Sequence, residues 1–109
     1  LTNLDVSRFD TSNVIDMNRM FYNCSGLTSL DISGFDTSKV TDMVGMFYYC
    51  SNLTKIYVRD KWCVNAVTSS ELMFYYCTSL SGAMTYHQNR TDATYANYTT
   101  GYLTYKTSQ

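Results

Sequence analysis

Apolar side chains return along this chain at a fixed spacing. Leu1, Leu27, Leu53 and Leu80 form one series, Leu4, Leu30, Ile56 and Ala83 a second, and Val6, Ile32 and Val58 a third. Phe9, Phe35 and Trp62 follow, then Val14, Val40 and Val67, and each series closes on Met-Phe-Tyr-x-Cys at residues 20–24, 46–50 and 73–77. The intervals are 26 and then 27 residues, and residues 1–26 agree with 27–52 at 17 of 26 positions. Self-similarity at such a period implies stacked units, each too small to bury its apolar face without a neighbour.

Two rhythms alternate within the unit. Leu4 and Val6 flank Asp5 with the period of a strand, so each unit is expected to add one short strand to a parallel sheet. Val14, Met17, Phe21 and Cys24 fall at i, i+3, i+7 and i+10, which predicts a short helix or 3₁₀ turn. Thr11 or Ser12 stands where a cap would help, and Asp16 and Asp42 near the start would meet the helix dipole favourably. The repeats divide as 1–26, 27–52, 53–79 and a partial 80–85, the third gaining one residue near 59–61 and carrying Ser70 in place of Met17 and Met43. Residues 86–109 leave the pattern. They hold five of the eleven tyrosines and are expected to form a cap of short strands, with a brief helix near 92–97 capped by Thr91.

Leu-x-x-Leu-x-Val followed by Phe-Asp-Thr-Ser-x-Val-x-Asp-Met-x-x-Met-Phe-Tyr-x-Cys-Ser resembles the BspA-like leucine-rich repeats of bacterial surface proteins. The tail, with Thr91-Asp92-Ala93-Thr94-Tyr95-Ala96 and Gly101-Tyr102-Leu103-Thr104, resembles the segment that closes such arrays. The resemblance implies an α/β solenoid, a right-handed leucine-rich-repeat array over residues 1–85 with a tyrosine-rich cap. It implies a secreted or cell-wall-attached protein engaged in adhesion, and no shared catalytic residues. Cys63, in the position of Asp10 and Asp36, departs from the pattern.

Composition narrows the partners. Eight basic and nine acidic residues give a formal charge of −1, which offers no broad attraction for nucleic acid or an anionic membrane. No run of about 18 apolar residues suggests membrane insertion. Leu1 is already in register, so the chain is expected to belong to a longer array.

Cys24, Cys50 and Cys77 occur once per repeat, which places them as buried, reduced thiols in a core ladder. Their spacing lacks the close pairs of a zinc site, and no metal or other cofactor is expected. Cys63 and His87 could form a nucleophilic pair only with an orienting group and an oxyanion site that nothing in the sequence supplies, so no enzyme is expected. Four Asn-x-Ser/Thr triplets begin at Asn23, Asn52, Asn89 and Asn97, the first two at repeat turns.

Outward strand positions remain as binding candidates: Asn3, Asp5 and Ser7, then Ser29, Asp31 and Ser33, then Lys55, Tyr57 and Arg59. Two polar-acidic rows give way to a basic, aromatic one, the kind of chemistry that anchors protein interfaces. Asp5, Asp31, Lys55, Tyr57 and Arg59 are therefore the candidate site, with a host or neighbouring-cell surface protein as the expected partner. A structural spacer that projects another domain is the alternative. Carbohydrate binding through Tyr22, Tyr48, Tyr75, Tyr49 and Tyr76 is a third reading.

Overall fold

The second half of each repeat divides its main-chain donors between two uses. In the first copy Met17, Arg19, Phe21 and Asn23 donate their N–H groups across to the carbonyls of Asp42, Val44, Met46 and Tyr48, whereas Met20, Tyr22 and Cys24 donate to carbonyls three residues back. The second copy repeats this: Met43, Gly45, Phe47 and Tyr49 donate to Ser69, Glu71, Met73 and Tyr75. An α-helix would commit every N–H to the residue four back. Here every second one serves the next copy, so the segment is a run of overlapping turns. Its backbone confirms this, because Arg19, Gly45 and Leu72 have φ of 57°, 61° and 58°, and Asn23, Tyr49 and Tyr76 have φ of 59°, 65° and 63°. Each is the third residue of a four-residue turn, where a type II turn requires positive φ.

The computed structural model describes residues 4–107. Leu1 and Asn3 lie outside the described residues. Strand β1 (Ser29–Asp31) pairs in parallel with β2 (Lys55–Val58), Leu30 opposite Ile56, as the alternation predicts for those two copies. The third strand does not come from a fourth repeat. It is β3 (Thr104–Tyr105) of the tail, parallel to β2 with Tyr57 opposite Thr104. Ala83 is exposed, and the chain around it turns back through an antiparallel bridge between Ser81 and Thr85.

The predicted α/β solenoid is thus not the fold. Among the described residues there is one sheet of three short parallel strands and no α-helix, in a small body of 31 × 30 × 26 Å. The helices are lost to the ladder between copies, and the fourth copy is displaced by the tail. The only helical piece described is a 3₁₀ turn at Ala93–Tyr95, capped by Asp92, whose carboxylate accepts from Thr94 N–H at 3.0 Å, and not by Thr91. Thr11 is no helix cap either. Its buried hydroxyl donates to the Asp36 carbonyl and accepts the Asp36 N–H at 2.8 Å, and Thr37 grips Cys63 the same way at 2.7 Å for both bonds.

Phe21, Phe47 and Phe74 stack through the core at 5.6 and 5.4 Å, and the buried Tyr102 closes the pile edge-on at 5.1 Å. Phe35 and Trp62 are buried in their column, but Phe9 is 55% exposed, because among the described residues no earlier copy covers it. Trp62 explains one break in the repeat: its indole N–H donates to the Ala96 carbonyl at 2.9 Å and ties the third copy to the tail. Thr91 supplies the carbonyl for Phe74 N–H, Tyr86 the phenol oxygen for Tyr76 N–H, and Ser70 accepts from Ala93 N–H. Two of the donors that would have met a fourth repeat, the N–H groups of Phe74 and Tyr76, are met by the tail.

Candidate functional site

The strand face carries the residues that the alternation singled out, though not as three equal rows. Asp5, Asp31 and Arg59 are exposed, and Lys55 and Tyr57 half-buried. Register sets Asp31 beside Tyr57, while Lys55 turns its ammonium onto the Ser81 carbonyl at 2.7 Å. Lys55 is therefore engaged with the protein's own backbone. Arg59 lies 6.0 Å from the centre of the Tyr105 ring, whose hydroxyl donates to Asp60 at 2.7 Å. Lys106 reaches Asp31 at 2.5 Å, a salt bridge between partly exposed groups. An open groove of about 480 Å³ results, with Asp5, Asp31, Ser33 and Lys106 around an apolar floor of Val6, Ile32 and Phe35.

Tyr105, Lys106 and Asp60 are the residues that reasoning from the repeat missed. Their tail and insertion positions have no counterpart in the earlier copies. The single local signal is the Tyr102-Leu103-Thr104-Tyr105 run after Gly101, rich in strand-favouring residues.

The aspartates of this face are held ionised largely by local turns. Asp5 accepts from the Ser7 hydroxyl at 2.7 Å and the Ser7 N–H at 3.0 Å, which lowers its pKa. Asp10 with Ser12 and Asp36 with Ser38 repeat the geometry and the direction. At Asp31 partial burial pushes upward, but hydrogen bonds from Lys106 and Ser33 outweigh it, and the carboxyl stays below its ordinary value. The hydrogen bond to the Asp60 carboxylate raises the Tyr105 phenol. These pairings give the recurrent Asp-x-Ser a structural duty in shaping turns.

The cysteines follow the expected ladder in part. Cys50 and Cys77 are buried and donate to the Phe21 and Phe47 carbonyls at 3.1 and 2.9 Å, whereas Cys24 and Cys63 are only half-buried. All four are free thiols. The neighbouring Cys50 thiol, and then burial, push the Cys77 thiol well up. No hydrogen bond joins Cys63 to His87 among the described residues; His87 instead meets the Tyr102 hydroxyl through its backbone. Asn97 spends its side-chain oxygen on the N–H groups of Thr99, Thr100 and Gly101 and its nitrogen on Thr94, and Asn52 donates to the Ser25 carbonyl.

On the turn side the tyrosines stack on one another. Tyr22, Tyr48 and Tyr75 form one pile at 5.0 and 5.2 Å, and Tyr49 and Tyr76 a second at 4.6 Å. The Arg19 guanidinium covers Tyr22 at 5.5 Å. Ring faces inside the piles are consumed by packing, leaving edges and hydroxyls to solvent.

A repeat with these columns, a ladder between copies and a tail that closes it is a distinctive sequence, and one family matches it over residues 1–102: "Mycoplasma protein of unknown function, DUF285". The chain belongs to this family. The family is related to BspA-like repeat proteins. No curated protein and no solved structure matches the chain.

Proposed function

We propose that the chain is a non-enzymatic protein-interaction module of a bacterial cell-surface adhesin of the BspA-like kind, acting outside the cell on a protein of a host or neighbouring cell. Family membership supports the surface repeat protein in general terms. The strand-face groove carries the rest of the reading. It sets Asp5, an acidic group with no cationic partner among the described residues, beside an apolar floor, and the same strand face carries Tyr57, opposite Asp31 in register, and Arg59 against the Tyr105 ring. Partly buried apolar surface ringed by charge and aromatic groups is what transient protein interfaces use, and tyrosine and arginine commonly anchor them.

Flow cytometry of the labelled chain on intact cells tests the reading. A Tyr57→Ala, Arg59→Ala double variant is expected to lower cell binding about tenfold or more, the loss of one interface anchor. Unchanged binding by this correctly folded variant removes the strand face from consideration. Binding by neither form to any cell type, with binding retained by flanking parts of a longer parent, would favour a spacer.

A further inference from the structure

Where the tyrosine piles meet the tail, the structure forms a second cleft of about 280 Å³, lined by Tyr75, Tyr76, Thr78, Tyr86, Gln88 and Asn89. We propose that this cleft binds one neutral pyranose ring, the exposed sugar of a glycan. It lies away from the strand-face groove and does not depend on it.

Three observations converge. Tyr76 ends its pile: Tyr49 covers one face at 4.6 Å, Tyr75 leans beside it at 5.8 Å, and no further ring among the described residues stacks on the other face. A free tyrosine face is electron-rich and receives the C–H groups along one side of a sugar ring. The second observation is the supply of hydrogen-bonding groups. Tyr86 accepts the Tyr76 N–H at 3.0 Å, which fixes its ring and leaves the phenolic proton to donate outward. The side-chain amides of Gln88 and Asn89 and the hydroxyl of Thr78 have no protein partner among the described residues, and an amide both donates and accepts, as a polyol requires. Third, every lining residue is uncharged, and the volume falls just below the range of drug-sized sites, which suits one small ring. A polyhydroxy ligand fits this balance of one stacking face and several neutral polar groups. An anionic sugar finds no cation there.

The tyrosine stripe alone does not make this site. Its inner faces are buried in stacking, and the outer face of Tyr22 already carries Arg19. Only the tail, by placing Tyr86, Gln88 and Asn89 beside the last ring, adds the polar half.

The test is saturation-transfer NMR on the intact chain, using methyl glycosides of glucose, galactose and N-acetylglucosamine and, as an anionic probe, a methyl glucuronide. Transfer from at least one neutral glycoside is expected, with a Kd of about 1–10 mM, ordinary for one shallowly held ring. Gln88→Ala with Asn89→Ala, two exposed positions that leave the fold intact, should weaken it about fivefold, the effect of one net hydrogen bond. Tyr76→Ala should abolish it, and Tyr22→Ala, at the far end of the stripe, should leave it unchanged. Absence of transfer from all neutral glycosides at about 20 mM would overturn the assignment. So would equal or tighter binding of the glucuronide, equal loss in Tyr22→Ala, or stronger binding of a flat aromatic competitor such as indole.

Discussion

At the scale of single residues the positive-φ positions decide most. Gly45 occupies one at no steric cost, but Arg19 and Leu72 hold the equivalent conformation with side chains that disfavour it. Gly45→Ala should therefore lower stability by about 1 kcal/mol, since a Cβ there also meets Arg19 Cγ at 3.3 Å. Leu72→Gly, at an exposed site, should raise stability by up to about 0.5 kcal/mol, strain relief exceeding the added freedom of the unfolded chain. Chemical denaturation of the pair measures both signs. Trp62→Phe keeps an aromatic side chain but loses the pyrrole ring with its N–H and strands the Ala96 carbonyl, at a cost of about 1–3 kcal/mol and with faster proteolysis of the tail. Thiol labelling reads the cysteine ladder: Cys50 and Cys77 should react only on unfolding, and Cys24 and Cys63 in the native protein. Rapid native labelling of Cys77 would contradict its place in the core.

At the scale of elements, the strand and turn halves of the repeat differ in how far they could be foreseen. The Leu30 and Ile56 strands follow from simple alternation, and register needs nothing more. The short helix or 3₁₀ turn that the spacing predicts from Val14 to Cys24 is replaced by consecutive turns with positive φ at Arg19 and Asn23. Apolar residues at 17, 21 and 24 suit a helical face and equally suit consecutive turns that drop one side chain inward each time. What separates the two is the left-handed positions, and a signal for them existed in the columns: glycine at 45 opposite Arg19, and asparagine at 23 opposite Tyr49. Glycine and asparagine are the residues that tolerate this region best. The Asp-x-Ser turns give the elements a pH response. Asp5, Asp10, Asp31 and Asp36 all have folded pKa values below the ordinary carboxylate value near 3.9, so their stabilising contribution is complete above that value. It is lost as pH falls through the lowered folded values. Thermal midpoints should be level between about pH 7 and 5 and drop below about pH 4. A midpoint that rises on acidification would contradict the assigned hydrogen bonds.

At the scale of the whole molecule, the tail substitutes for a repeat it does not resemble. It supplies β3, the ring that ends the phenylalanine pile and acceptors for the Phe74 and Tyr76 N–H groups. Lys106 and Tyr105 reach the strand face this way, and no periodic pattern could have placed them. Gly101 is where the tail packs most tightly on itself: a Cβ there would sit 2.1 Å from the Tyr95 carbonyl oxygen. Gly101→Ala is expected to cost at least about 2 kcal/mol, read by chemical denaturation, because backbone rather than a flexible side chain must yield. The ladder between copies also has a sense of direction. In the turn row each copy gives its N–H groups to the one after it, so the carbonyls of Asp16, Asn18 and Met20 in the first copy are unmatched among the described residues. Two molecules meeting along that row would set oxygen against oxygen. Acceptors at every second residue fit a chain that brings donors at that spacing, as another copy of the repeat does, so the ladder is a one-way coupling.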